Sequence, residues 1–303
     1  AGSQTFGPAT GCDNNARAGW WAGVIPAARV GRLLEPIADA ADVVAATMSD
    51  AARRQRTSLE ETAHRPIPLP SDAPWIMGQT WVDLLFAHWP VAAGALRAVV
   101  PPELELDLFD GTGWISITPF EVIGTRARGT PPPPGVSRFP ELNVRTYVTA
   151  GDRGGIWFFS LDALRASAVA AARALYRLPY FRAEMAIERR DGWIEYESRR
   201  VDRRGAPVRF DARYRPTGAP APVAPGTLDH WLVERYRLYT LGGGRRVMTA
   251  DIHHRPWPVQ PAEAEIRVNT MTEPLAIPLE GAPLLHFARR QDVIFWPLTE
   301  VGA

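Results

Sequence analysis

Lysine is absent from the 303 residues, so all 34 basic side chains are arginine. A guanidinium stays protonated in a protein and cannot supply the neutral amine that Schiff-base catalysis requires. Only the N-terminal amine is left for such chemistry. Cysteine is nearly absent too. A single Cys12 excludes a disulfide framework and a cysteine-cluster metal site. No apolar run approaches the roughly 20 residues of a membrane-spanning helix. The segment WWAGVIPAA (20–28) is too short and too proline-interrupted for a signal-peptide core. An excess of one charge is also missing: 34 arginines against 33 acidic residues give a net charge of +1, without long runs of either sign. That balance argues against nucleic acid or an anionic membrane as partner, and the scattered arginine pairs read as solvated edge charge. The default location is the cytoplasm.

What is present is a change of character along the chain. Residues 1–47 differ from the rest. Within 27–63, Val30, Leu33, Leu34, Ile37, Ala41 and Val44 recur at helical spacing, with Pro36 as an interruption. Met48-Ser-Asp resembles a natural start of translation, so what precedes it reads as an upstream extension, an engineering remnant or an accessory helix. The division expected is a partly helical extension over 1–65 and one domain without internal repeats over 66–303. Strands dominate that domain. The pattern predicts a helix over 91–99, two strands about the DGTG turn (110–113), and a hairpin of 192–201 with 207–214 about DRRG. On that hairpin Glu195, Glu197 and Arg199 are expected to pair across with Arg209, Asp211 and Arg213. Helices are expected over 163–178, with Asp162 as N-cap, and from Thr227, running into the strand RYRLYT (235–240). Pro216–Gly226 reads as an exposed connection. The fold class expected is α+β: a barrel or strongly curved antiparallel sheet with a few helices.

The most informative stretch runs from Phe139 to Tyr180. In FPELNVRTYV the residues Glu141, Asn143, Arg145 and Tyr147 alternate with Leu142, Val144, Thr146 and Val148. Period-two alternation puts the four polar residues on one strand face. The next strand, IWFFSL (156–161), is apolar on both faces and reads as buried on both sides. The polar row then lies near the middle of the fold, where unpaired charge is costly and a Glu141–Arg145 pair is expected.

The ordered segments QTWVDLLFAHWPV (79–91), LRAVVPPELELDLFDGTGWISITPF (96–120), FPELNVRTYV (139–148), GIWFFSLDA (155–163), AARALYRLPYFRAEM (171–185), ERYRLYT (234–240) and HHRPWPV (253–259) resemble the YqjF-like family of uncharacterised bacterial proteins. That family is similar to the acetoacetate decarboxylase superfamily, which implies a cone-shaped antiparallel β-barrel around a small-molecule pocket. The resemblance implies that Glu141, in an aromatic-x-Glu strand, is a pocket acid. It also aligns Leu178-Pro179-Tyr180-Phe181 with the segment that carries the superfamily's Schiff-base lysine, so Tyr180 stands where that lysine would be. The chain departs from the superfamily at its defining residue, which excludes imine-based decarboxylation while fold and pocket remain.

Other constellations carry less. Asp251 and His253 share a strand face in ADIHHRPW, a conceivable start of a metal site or proton relay, but no metal-ligand spacing supports it. His88, inside LLFAHWPV, reads as a hydrogen-bonded core histidine. No nucleophile elbow surrounds Ser160, and Gly242–Gly244 has no phosphate-loop lysine. The tryptophans read mainly as packing, a minority as an aromatic wall for a ligand. The function expected is a small-molecule pocket protein, acting as an acid–base enzyme without cofactor or metal. It would be an isomerase, cyclase or lyase acting on a small organic acid, ketone or aromatic, polyketide-like compound. Glu141 and Tyr180 are the expected catalytic groups; Asn143, Arg145, Tyr147 and Trp157 would contact the substrate. The rival reading is a protein that binds or sequesters such a ligand without turning it over. A homo-oligomer is compatible with either.

Overall fold

The structure, a computed structural model, describes residues 27–135, 137–165 and 174–302. Its helices are α1 (Ala27–Met48), α2 (Asp50–Ser58), α3 (Ala93–Val99) and α4 (Leu228–Val233). The strands are β1 (Met77–Val91), β2 (Glu105–Leu106), β3 (Gly113–Ala127), β4 (Phe139–Ala150), β5 (Arg153–Ala163), β6 (Tyr180–Arg190), β7 (Trp193–Arg200), β8 (Arg209–Pro216), β9 (Arg237–Leu241), β10 (Val247–His254), β11 (Gln260–Asn269), β12 (Leu284–Phe295) and β13 (Thr299–Glu300). Among the described residues no helix is long and apolar enough to cross a membrane.

The strands close on themselves twice. One circuit runs β1–β3–β4–β5–β9–β10–β12 and back to β1; a second leaves β5 through β6, β7, β8 and β11 and rejoins at β12. The expected barrel is therefore a ring, and it is antiparallel except where β5 meets β6 and β9 in short parallel pairings. The strands shared by both circuits feed two cores by simple alternation. Leu84 and Phe86 of β1 enter one cluster, whereas Leu85, Ala87 and Trp89 enter the other. On β4, Leu142 and Val144 point into the second cluster, leaving the odd-numbered residues for the first. A sheet covered on both faces has no solvated side, so a polar row on it lines an enclosed space.

Several local expectations are corrected. β2 pairs with β4, not β3, because Asp107 N bonds Tyr147 O at 3.1 Å. The turn itself closes as expected through Phe109 and Thr112, with Asp110 and Gly111 both at positive φ. Asp162 is not a helix cap. Pairing of Leu161 with Tyr180 and of Ala163 with Arg182 keeps β5 extended, and buried Asp162 takes a bond from Arg200 Nε at 2.8 Å. Of the helix expected over 163–178, residues 174–176 are helical and 166–173 lie outside the described residues, as do residues 1–26. The β7–β8 hairpin forms with Glu195 opposite Arg213 as expected, but the same register opposes Glu197 to Asp211 and Arg199 to Arg209. Strands further out supply partners: Arg267 of β11 bonds both Glu195 and Asp211 at 2.7 Å, and Glu184 of β6 pairs with Arg199.

The boundary drawn at residue 65 does not coincide with a break in packing. Ser49 caps α2 through Ala52 N at 3.3 Å. Buried Gln55 of α2 donates to Gly124 O at 3.0 Å and accepts from Arg126 Nε at 2.7 Å. Arg126 also bonds the carboxylate of Asp42 on α1, and neither side chain is exposed. Gly124 sits at φ 61° with Ala51 close enough that an added Cβ would come within 2.8 Å of its methyl, so the close approach of α2 needs glycine here.

Candidate functional site

The first core encloses a cavity of about 260 Å³, at the small end for ligand pockets. β4 supplies three of its polar groups. Unbroken pairing with β3 (Glu141 to Phe120, Asn143 to Thr118, Arg145 to Ser116) keeps Glu141, Asn143 and Arg145 facing inward together. Opposite them β5 contributes Ile156, Phe158 and Leu161. A bulge after Phe158, where the register against Val144 and Arg145 shifts, is what lets an even and an odd residue of β5 share this face. Tyr180 arrives at the head of β6 beside Leu161.

Glu141 is 4 % exposed. The Tyr180 hydroxyl, donating to the carboxylate, lies 3.2 and 3.1 Å from its two oxygens. Burial pushes the Glu141 carboxyl up to about 8, against the opposing effect of its bonds with Tyr180 and Asn143. The acid is thus largely protonated at neutral pH, and a small change of surroundings moves its proton. Burial and the neighbouring Glu141 drive the Tyr180 phenol well above its ordinary range. Tyr180 is therefore a neutral hydrogen-bond donor, not a base.

Arg145 is 5 % exposed and has no acidic partner among the described residues. Its Nε and Nη2, the edge that grips a carboxylate side-on, have no hydrogen-bond partner. The guanidinium stands 5.2 Å over the Phe86 ring, and burial draws its pKa down. The ion pair expected between Glu141 and Arg145 does not form. Four residues of regular strand separate their Cα atoms by about 13 Å, and each has other neighbours. A second arginine, Arg235, enters from the end of α4. Its Nη1 pairs with Asp107 at 2.5 Å and its Nε with Trp231 O at 2.7 Å, while its buried Nη2 is unpartnered. His254, held between the Arg255 and Arg235 carbonyls at 2.8 and 3.0 Å, completes this end, and burial lowers its pKa.

The structure brings Glu141, Asn143, Arg145 and Tyr180 together around one cavity. Tyr147 stands behind Arg145 instead: its hydroxyl donates to Leu232 O at 3.0 Å and meets His88 Nδ1 at 3.3 Å, which makes His88 a hydrogen-bonded core histidine. Trp157 is on the wrong face. It packs with Val100, Leu104, Val148 and Tyr239 outside the cavity, because odd residues ahead of the β5 bulge point away from it. Trp81 and Trp257 form the aromatic wall. Sequence reasoning missed Arg235, and grouped His254 with Asp251 and His253 instead of with this cavity. Local sequence does not tie either to the cavity: the parallel β5–β9 pairing carries the segment of Arg235 there, and the pairing of His254 with Val293 of β12 carries His254. Asp251 and His253 do not build a metal centre. Asp251 pairs with Arg237 and Arg65, and His253 Nε2 bonds Ser58 O at 2.7 Å. Among the described residues no cluster of three or more potential ligands could hold a metal ion.

The architecture is a ring of strands around one cavity, and solved structures share this fold. Acetoacetate decarboxylase from Legionella pneumophila aligns over 81 % of this chain and 95 % of its own at 12 % identity, TM-score 0.50. An acetoacetate decarboxylase-like enzyme from Sphingomonas wittichii aligns over 80 % and 99 % at 14 % identity, TM-score 0.51. The enduracididine biosynthesis enzyme MppR, solved with pyruvate, aligns over 78 % and 93 % at 11 % identity, TM-score 0.52. The fold is therefore acetoacetate decarboxylase-like. Residues 78–292 match DUF2071, described as an uncharacterized conserved protein family. The chain is 52 % identical over 228 residues to "Uncharacterized protein YqjF" of Bacillus subtilis, covering 75 % of this chain and 93 % of that protein. This chain belongs to the DUF2071, YqjF-like family.

Proposed function

We propose that the cavity takes a small carboxylic acid with a largely apolar body and exchanges a proton with it at Glu141, making the protein an isomerase, cyclase or lyase that forms no lysine imine. One observation carries the reading: the bare Nε–Nη2 edge of Arg145, buried and without a protein counter-charge. A buried cation with no partner is costly, and a planar fork of donors matches a carboxylate in charge, shape and hydrogen bonding. The ligand's anion would supply the missing charge. Glu141, poised near 8, would give its proton to an oxygen or carbon of the ligand and take one back. Tyr180 would stabilise the carboxylate left behind, or an oxyanion on the ligand. MppR binds pyruvate in a related fold, which supports an acid as ligand. Both Glu141 oxygens lie near Tyr180, and that favours a second reading, capture of the acid without turnover.

The test uses arenecarboxylic and oxoalkanoic acids beside their primary amides, followed by thermal shift. The acids are expected to raise the melting temperature and the amides are not. Arg145→Met is expected to abolish the response to acids. With no ligand it should leave stability unchanged or raise it by about one to a few kcal/mol, because an unpaired buried charge is removed. Amides that stabilise as well as acids, or a strongly destabilised Arg145→Met, would refute the carboxylate clamp. Deuterium uptake next to the carbonyl of a bound oxo acid in D₂O, lost in Glu141→Gln, separates turnover from capture.

A further inference from the structure

The two polar poles of the cavity are far apart along one strand, and this sets the length of the ligand. Glu141 and Arg145 both project from β4, whose pairing with β3 is regular from Phe139 to Thr146. At about 3.3 Å per residue their Cα atoms lie roughly 13 Å apart. The poles have separate neighbourhoods. Tyr180 and Asn143 act on Glu141, whereas Tyr147 and Arg235 act on Arg145. Across the strand, the residues opposite Asn143 and Arg145 are Leu161 and Phe158, so β5 walls the span between the poles with hydrocarbon, while on β4 Asn143 stands between them, its buried Oδ1 without a partner.

We propose that the natural substrate is an elongated acid: its carboxylate sits on Arg145 with Arg235 nearby, and its reacting carbonyl or hydroxyl lies five or six bonds away at Glu141 and Tyr180. The proposal rests on the carboxylate reading given above. Side chains stand roughly perpendicular to a sheet, and neither group acts on the other, so the two heads keep the spacing of about 13 Å between their Cα atoms. A ligand lying between them, with hydrogen bonds of about 3 Å at each end, has roughly 7 Å between its two polar groups. Five or six carbon–carbon bonds, each advancing about 1.3 Å along a chain of 1.5 Å bonds, fill that gap. Both an ω-oxo alkanoate and an arenecarboxylate with a para oxygen substituent meet this spacing, and either suits the Phe158 and Leu161 wall of the cavity. A β-oxo acid, with two bonds between its polar groups, cannot touch both poles at once.

Calorimetric titration with straight methyl-ketone acids, having two to eight bonds between carboxyl and ketone carbons, tests the spacing. Affinity is expected to peak at five or six bonds and to exceed that of the three-bond acid at least tenfold. Tyr180→Phe should erase the advantage of the ketone over the same-length acid without it, while leaving the carboxylate preference intact. Arg145→Gln should weaken every member of the series. A series that is flat or tightest at two bonds, with Arg145→Gln still abolishing binding, overturns the length assignment and spares the carboxylate clamp. Undiminished binding of the acids by Arg145→Gln overturns both.

Discussion

Glu141→Gln is expected to make the ligand-free protein more stable at alkaline pH and to change the shape of its stability curve. In the folded chain burial raises the Glu141 carboxyl from its ordinary 4.5 to about 8. The unfolded chain releases this proton near 4.5, and the folded chain keeps it until about pH 8. Protons bound only by the native state make stability fall as pH rises, so the loss begins near 4.5 and is complete above 8. A difference of some three to four units, at about 1.4 kcal/mol each, amounts to roughly 5 kcal/mol. Glutamine has nearly the same shape, still accepts from Tyr180 and never ionises. Its stability curve should lack this fall. Urea unfolding of both proteins from pH 5 to 9 reads the effect as a difference of differences, in which every other titrating group cancels. Relative to wild type, Glu141→Gln should gain about 4 kcal/mol between pH 5 and 9, the part of the fall inside that window, or roughly 10 °C in melting temperature. Parallel curves would show that Glu141 ionises normally, and the case for a poised acid would fall with them.

Three further outcomes follow from the packing and the composition. Asp42→Ala strands the buried Arg126 guanidinium and should cost about 3–5 kcal/mol, most of it recovered in the double variant with Arg126→Met; a chain beginning at Met48 should be destabilised similarly, and an unchanged melting temperature in either would show that the pair contributes little. Treatment with acetoacetate or pyruvate and borohydride should leave the protein mass unchanged apart from any adduct at the N-terminal amine, because no lysine exists. A stable adduct mapped by mass spectrometry to any other residue would contradict that.

Much of the site was legible in one strand. Glu141, Asn143 and Arg145 could be placed on a common inward face because side-chain direction in a strand depends only on parity, and the neighbouring IWFFSL implied cover on both sides. The same rule failed one strand later. Trp157 was expected in the cavity and lies outside it, since a single bulge in β5 shifts which residues face inward, and no composition signal announced it. The Asp162 cap failed for a related reason. An alanine-rich stretch after an aspartate reads as a helix start, but the ladder to β6 holds Asp162 extended and pairs it with Arg200.

The sequence alone determined what chemistry is impossible and which strand bears the polar groups: a chain without lysine cannot form a side-chain imine, and parity fixes the faces of β4. The tertiary structure decided the rest. Whether Glu141 and Arg145 neutralise each other depends on the distance along a strand and on who else is near, and the fold gives each a different neighbour. That separation leaves one acid poised near 8 and one arginine fork bare. It also brings Arg235, through the parallel β5–β9 pairing, and His254, through β10–β12, to the arginine end of the cavity. Local sequence sets the direction of each side chain, whereas desolvation and charge pairing, which tune its chemistry, arise only when remote strands close the ring.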